Sequence, residues 1–441
     1  MHANTSPVFQ YDAVRRARRL TQRRQAAGTQ GIPKQNTGFC FFLFLFLFVF
    51  LFLASLRLGP LALKFLWNSF GSLVDPYPAG VQSHKRLRIR TGNLMQLVQF
   101  FVPAVGRRVG VVDGLRVQDL TSTNASIQSI YGLVQSSLAQ NLLLVDLVDT
   151  LFSSEATPVF WDYAVLLSAS PGGARPYLLP PLDHPEPSRL LITGTGLSHL
   201  GSVQSRDQMH GGTQSTEPQT DSARMFAMGL EGGRPAANKR GVAPEWFYKG
   251  NGFNLRGPND LLEIPAYALD GGEEPEIVGC YIIDSAGRPR RIGFALGNEW
   301  SDHATEKINY LYLAPSKLRT CAVGPSLQVT EDFSDIALRC TVSRDGEQLY
   351  ESGELRSGER NMCHSLRNME DHHFKYAQHR HPGDLHLHFF GTSRLSFGSR
   401  TWKYQPGDQI QVSAPGFCEP LVNTVAAGST AEAGVIRVEP V

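Results

Sequence analysis

The segment that most limits the fold is 270–303, an acidic turn followed by two apolar stretches and a further acidic site. Ser285-Ala286-Gly287-Arg288 separates 277–284 from 290–296 and reads as the turn of an antiparallel hairpin. Both stretches are apolar on both faces. Ile277, Tyr281, Ile283, Phe294 and Leu296 share one face, and Val278, Cys280, Ile282 and Ala295 the other. Strands without a polar face belong inside a layered fold, covered on two sides. With the turn centred between Ala286 and Gly287, Glu274 falls opposite Glu299 and Glu276 opposite Gly297. Glu274 and Glu276, two apart, point the same way once the strand reaches back past Pro275, which confines that end to an edge or to the strand's first residues. Directly opposed Cβ atoms lie ~4.5–5.5 Å apart. Three carboxylates are thus expected to converge at the mouth of the hairpin, with Gly297 leaving room beside them. Like charges near a core require a cation, and oxygen-only donors suit Mg²⁺, Mn²⁺ or Ca²⁺. The competing reading is a solvated acidic turn, with Glu299 paired to an arginine.

Around this hairpin the chain divides by charge. Residues 1–94 carry 13 Lys and Arg against Asp12 and Asp75, a balance of +11; residues 95–441 carry 29 against 38 acidic residues, a balance of −9. The overall pI of 8.2 averages two unlike pieces and gives no ground for a nucleic-acid partner. With 42% hydrophobic and 19% charged residues, whole-chain disorder and a collagen-like structure are excluded. Cys40, Cys280, Cys321, Cys340, Cys363 and Cys418 form no C-x-x-C pair. They read as free thiols of a reducing, cytoplasmic compartment and speak against a structural zinc-thiolate site.

The extension 1–94 has three readings. Residues 39–54 hold eight Phe and five Leu, sixteen residues in all, just under the ~17–25 that span a bilayer. With the basic run from Arg15 to Arg24 before it, this is a membrane anchor over 39–56 or an organelle-targeting leader. The third reading is a gene-model artefact, the Phe/Leu monotony of pyrimidine-rich DNA. From Met95 the texture changes. Residues 96–101, 107–112 and 115–120 read as strands, with Asp113-Gly114 as a hairpin turn. Residues 126–152 read as one or two helices, Pro-rich 176–188 as a linker, and Gly-rich 211–241 as a mobile loop or lid. Further strands are expected at 326–330, 336–343, 386–397 and 409–413. The expected organisation is the extension 1–94, a small N-terminal domain with its linker at 95–186, a main domain at 187–425, and a tail at 426–441.

At the carboxylates the chain resembles the fumarylacetoacetate hydrolase superfamily. Glu274-Pro275-Glu276 and Asn298-Glu299-Trp300-Ser301 sit where that family places its metal-binding E-x-E and N-D-x-S motifs, with Glu299 in place of the commoner Asp. Phe247-Tyr248-Lys249 looks like the family's F-x-K. The stretch from Lys317 to Pro325 looks like its K-x-x-D-T-x-x-x-G-P segment, with Arg319 in the Asp place. Gly391-Thr392 and Pro406 to Asn423 look like its C-terminal signature. A finer resemblance is to the 2-keto-3-deoxy-L-arabonate dehydratases. It rests on 178–187, Thr193 to Gly201, Asp270 to Ile277, and Gly297 to His303. The N-Y-x-x-H-x-x-E helix of the hydrolases is missing, replaced by Ser198-His199 and Arg206 to His210.

The resemblance implies a mainly β fold with some α, a mixed β-sandwich roll plus a small N-terminal domain, usually a homodimer. It implies Mg²⁺ or Mn²⁺ on Glu274, Glu276 and Glu299. Lys317, His199 and His210 are the catalytic candidates. Lys249, Ser198, Arg206 and Thr392 are the substrate-binding ones. A divalent ion chelated by a 2-oxo acid acidifies the C3 protons, and loss of the C4 hydroxyl then leads to a 2-oxo semialdehyde. The leading expectation is a dehydratase of a 2-keto-3-deoxy sugar acid. Its rivals are a C–C hydrolase or decarboxylase acting on acylpyruvates or oxaloacetate, and a membrane-tethered, non-catalytic binding protein. Seven of the 13 histidines fall in 364–388, and His386 and His388 share a strand face. Their spacing matches no common zinc site, so core or solvated histidines are expected. A protein beginning at Met95 is expected to be soluble, folded and as active as the full chain; aggregation or lost activity of that shorter protein would make the extension part of the fold.

Overall fold

The both-faces-apolar hairpin lies inside the fold as its composition demands. In this computed structural model the described residues are 94–153, 157–202, 204, 220–429 and 434–441. The 39–54 run, Arg206 and His210 lie outside them. Among the described residues no helix is long and apolar enough to cross a membrane.

The chain opens with β1 (Met95–Val102), β2 (Gly106–Asp113) and β3 (Arg116–Asp119), then helices at Ile130–Gln140 and Leu144–Ser153, then β4 (Phe160–Asp162) and β5 (Tyr177–Leu179). There follow β6 (Leu190–Gly196), a helix at Asp221–Gly232, β7 (Glu245–Asn251), β8 (Leu255–Arg256) and β9 (Leu261–Ile264). The hairpin is β10 (Pro275–Ile283) and β11 (Pro289–Asn298), and two short helices, His303–Ile308 and Leu313–Lys317, lead to β12 (Cys321–Val329). The remainder is β13 (Ile336–Arg344), β14 (Glu347–Glu351), β15 (Leu355–Ser357), a helix at Leu366–Phe374, β16 (Leu385–Phe389), β17 (Gln409–Ser413) and β18 (Leu421–Ala427).

Two sheets result. The larger runs β4-β3-β2-β1-β12-β11-β10-β16-β6-β7, with β5 on β1 and β8 on β12; the smaller runs β14-β13-β17-β18-β9, with β15 on β13. β10 and β11 lie in the middle of the larger sheet, and every residue of β10 is buried. One face of the hairpin, through Ile277, Phe294 and Leu296, packs on Leu338, Val342, Ile410 and Val412 of the smaller sheet. The other, through Val278, Cys280, Ile282 and Ala295, packs among residues of the helices at 130–153 such as Leu133 and Val148. This is the mixed sandwich with some helix that the sequence predicts.

The register is the predicted one at the functional end: Glu276 pairs with Gly297, and the Glu299 amide donates to the Glu274 carbonyl at 2.9 Å. A bulge at Cys280/Tyr281 shifts the turn end by one residue. Three expectations fail. Residues 176–188 are no free linker, because Tyr177–Leu179 pairs with β1 and Leu182 is fully buried; Pro176 and Pro180 bracket the paired residues. Within 211–241, Asp221–Gly232 is a helix capped by the Thr220 hydroxyl. The strand expected over 386–397 stops at Phe389, and 390–404 forms an irregular connection to β17.

The histidine-rich segment builds a core cluster. His373, His379, His386 and His388 are all buried, and His373 lies with its ring centroid 4.8–4.9 Å from each of the other three. Trp246 Nε1 donates to His373 Nδ1 at 3.2 Å, so His373 donates from Nε2 to His386 Nδ1 at 2.9 Å. His388 is clasped by the hydroxyls of Thr193 (2.8 Å) and Thr195 (2.7 Å) on β6. Burial, reinforced by the neighbouring imidazoles, lowers His386 and His388 to about 3 and His373 well below its usual value. The unfolded histidines titrate near 6.5. Below that pH the unfolded chain therefore takes protons that the folded cluster refuses. Stability should fall as pH drops from about 6.5 towards 3, by up to about 1.4 kcal/mol per pH unit for each histidine. Urea denaturation at pH 7.5, 6 and 5 measures this, and replacing His388 with Gln should flatten the profile.

Candidate active site

Glu274 stands just before β10, Glu276 is its second residue, and Glu299 follows β11. The hairpin pairing alone brings them together, and Asn298 Oδ1 ties the mouth by accepting from the Glu274 amide at 3.1 Å. One carboxylate oxygen from each lies within 4.8 Å of the others, and all three residues are buried. The predicted role of Gly297 is corrected. A Cβ there would strike Val278 and approach Phe389 Cε1 at 2.6 Å, so the glycine accommodates core side chains rather than carboxylates.

Three cationic or polar groups answer the buried charge. The Lys317 ammonium ion-pairs with Glu274 Oε1 and lies 3.3 Å from Glu299 Oε2 and 4.8 Å above the Phe247 ring. His303 Nε2 lies 3.0 Å from the same oxygen of Glu274. Lys249 Nζ sits 3.4 Å from Glu299 Oε1. Burial raises the Glu274 carboxyl, but Lys317 and His303 overcome it and hold Glu274 below the usual carboxylate range. Burial and the charges of Glu299 and Glu274 push Glu276 well above that range. Burial would lower Lys317, yet Glu274 and Glu299 prevail and keep it raised, hence charged. Glu276 Oε2 accepts from the Gly391 amide at 2.7 Å, while its buried Oε1 has no hydrogen-bond partner. An orphaned carboxylate oxygen beside two further carboxylates fits a hard divalent cation.

A narrow cavity opens on the triad, lined also by Thr195, Leu197, Phe247, His303, Glu306, Lys317 and Thr392. Of the sequence candidates, Glu274, Glu276, Glu299, Lys317 and Thr392 come together here. The Thr392 hydroxyl donates to the Arg394 carbonyl at 2.9 Å, which leaves its oxygen able to accept. Lys249 does not line the cavity. It is fully buried, and its ammonium donates to the carbonyls of Trp300 and Lys317, the latter at 2.9 Å. It braces the two segments that carry Glu299 and Lys317. Ser198 donates to the Phe390 carbonyl at 2.7 Å and lies 3.0 Å from His199 Nδ1. His199 is buried, its Nε2 has no partner, and burial lowers it to about 4, so it is neutral at pH 7. Both lie behind the cavity wall rather than on it.

Sequence reasoning missed His303, Glu306 and Glu245. The signal for the first two was present. Asp302 caps the helix His303–Ile308 by accepting from the Thr305 amide at 3.0 Å, which sets positions 303 and 306 one turn apart on one face. Glu245 carried no signal, because it is placed by close packing. A Cβ on cavity-lining Gly196 would collide with its carboxylate, and Tyr310 Oη lies 3.2 Å from its Oε1.

No protein-family model and no curated protein sequence matches the chain. Solved structures do. The apo form of a 2-keto-3-deoxy-D-arabinonate dehydratase aligns at a TM-score of 0.53 and 16% identity over 76% of this chain and 100% of that one. The same enzyme complexed with magnesium and 2,5-dioxopentanoate aligns at 0.52 and 15% identity over 76% of this chain and 99% of that one. At these identities the likeness speaks for the fold, and the described chain has a fold of the fumarylacetoacetate hydrolase type, close to that of this dehydratase.

Proposed function

We propose that the protein is a divalent-metal-dependent hydro-lyase that dehydrates a 2-keto-3-deoxy sugar acid to a 2-oxo semialdehyde. The observation that carries this reading is the buried triad of Glu274, Glu276 and Glu299 with its orphaned Glu276 oxygen, opening on a cavity beside Lys317. The ligand complexed with magnesium in the dehydratase structure of the same fold, 2,5-dioxopentanoate, is itself a 2-oxo semialdehyde. Mg²⁺ or Mn²⁺ on the triad would supply the Lewis acid that polarises the 2-oxo group.

The chain's own residues would divide the remaining work. Lys317, held charged by Glu274 and Glu299, is suited to anchor the substrate's anionic end or to give a proton, not to take one. Glu306 on the wall has the chemistry to accept the C3 proton. As the C3–H bond breaks, the C4–O bond breaks with it and the hydroxyl leaves as water with a proton that Lys317 can give. The resulting 2-oxo-3-ene then tautomerises, losing a proton at C5 and gaining one at C3, to the enol of the 2-oxo semialdehyde. The Thr195 and Thr392 side chains can orient the substrate's oxygens. Lys249 would serve by fixing the Trp300 and Lys317 backbones rather than by touching substrate.

Stripping with a chelator should abolish conversion of a 2-keto-3-deoxypentonate, and Mg²⁺ or Mn²⁺ should restore it. Cleavage of an acylpyruvate without dehydration of any deoxy sugar acid would move the protein to the C–C hydrolases. Replacing Glu276 or Glu299 with Gln should weaken Mn²⁺ binding, read by electron paramagnetic resonance, by more than the roughly 10–100-fold that outer-shell changes cost. Lys317→Ala should instead lower the rate roughly 10²–10⁴-fold while Mn²⁺ still binds. Undiminished turnover in that variant would remove Lys317 from the mechanism.

A further inference from the structure

The acidic stretch that opens β10 faces two ways. Glu274 and Glu276 turn to the cavity, whereas Glu273 is fully buried on the opposite side. Its carboxylate accepts three hydrogen bonds from neutral donors. The Ser396 amide donates to Oε1 at 2.6 Å, and the Ser396 hydroxyl and Tyr404 Oη donate to Oε2 at 2.8 and 2.7 Å. All three donors belong to 390–404, the irregular connection between β16 and β17. That connection also forms one wall of the site: the Gly391 amide holds Glu276, and Thr392 and Leu395 line the cavity. A second tie leaves the same acidic stretch. Arg400 ion-pairs with Asp270 and donates to the Gly271 carbonyl at 2.9 Å, with its guanidinium 4.8 and 5.2 Å from the Tyr404 and Trp402 rings.

We propose that Glu273 is a positioning residue. By gripping Ser396 it sets the wall carrying Thr392 and Leu395 at a fixed distance from the three carboxylates, and so shapes the space in which a chelating substrate sits. The physical ground is the cost of letting go. A buried carboxylate stripped of its donors is left unsolvated, and charge-assisted bonds of this kind are about twice as strong as neutral ones. The Phe390 amide donates to the Ile277 carbonyl at 3.2 Å, but over 391–404 the connection makes no backbone–backbone bond to a strand among the described residues. Between the packed Phe390 and Tyr404 rings its place therefore leans on these side-chain ties. One run of residues thereby builds both the ion site and its opposing wall. This inference rests on the metal-cavity reading above.

The test uses the full chain loaded with Mn²⁺ and oxalate as a chelating probe of the cavity. Glu273→Gln, Ser396→Ala and the double variant are compared with wild type. Mn²⁺ affinity is read by electron paramagnetic resonance, oxalate affinity by calorimetry, and folding by urea denaturation. Both single variants should bind Mn²⁺ within about twofold of wild type and oxalate at least about tenfold more weakly, with no further loss in the double variant. Unchanged oxalate affinity in both folded single variants, even with lowered stability, would reduce Glu273 to a packing role and overturn the proposal. An equal loss of Mn²⁺ affinity would overturn it in favour of an effect through the triad. A wild type that binds Mn²⁺ but no oxalate would defeat the cavity reading itself, and this inference with it.

Discussion

Three carboxylates brought together away from water repel one another, and the site is arranged around that constraint. Lys317 joins Glu274 to Glu299, Lys249 touches Glu299 from the buried side, and His303 completes Glu274. Only Glu276 is left with no cationic partner among the described residues, and its carboxyl is the one raised well above the usual range. The asymmetry has chemical content. Glu274 is compensated by the protein, Glu299 is touched by both lysines yet still raised by its burial, and Glu276 waits for a positive charge from elsewhere. The elements around the site can be read as supports for that arrangement: the helix Leu313–Lys317 delivers one lysine, β7 the other, and the Gly391 amide orients Glu276.

The hairpin can carry such charges because the rest of it is so thoroughly apolar. β10 is covered by the smaller sheet on one face and by the helices at 130–153 on the other, so its backbone has little freedom to shift. A rigid frame of this kind holds the carboxylates at spacings a loop would not keep. The same crowding explains Gly297, which yields its side-chain volume to Val278 and Phe389.

Much of this was readable from the chain. Pairing at the hairpin mouth follows from a four-residue turn and two both-faces-apolar runs, and it placed Glu274, Glu276 and Glu299 without further help. The position of Lys317 became readable only through its motif, since nothing local distinguishes it from a surface lysine. What stayed hidden depends on contacts distant in sequence. Lys249 was expected at the substrate, but its ammonium is taken by two carbonyls that lie 51 and 68 residues away. The strand at 177–179 was masked by its prolines. The helix Asp221–Gly232 was masked by a surrounding glycine-rich composition that conceals its capping threonine. The histidine cluster could be counted in the sequence but not assembled, because Trp246, Thr193 and Thr195 join it from far upstream.

The position of β16 has a consequence for how the chain reaches its native state. β16 sits between β10 and β6, pairing antiparallel with one and parallel with the other across almost two hundred residues. The β10–β11 hairpin, by contrast, closes on itself through a short turn and needs no distant partner. Local pairs form fast and long-range parallel pairs slowly. By that ordering the carboxylates would meet first on a solvated hairpin, and Glu276 would gain its Gly391 donor only when β16 docks beside β10. Ordering of the carboxylate site would on this account be a late event, because the segment that carries Gly391 follows directly on β16.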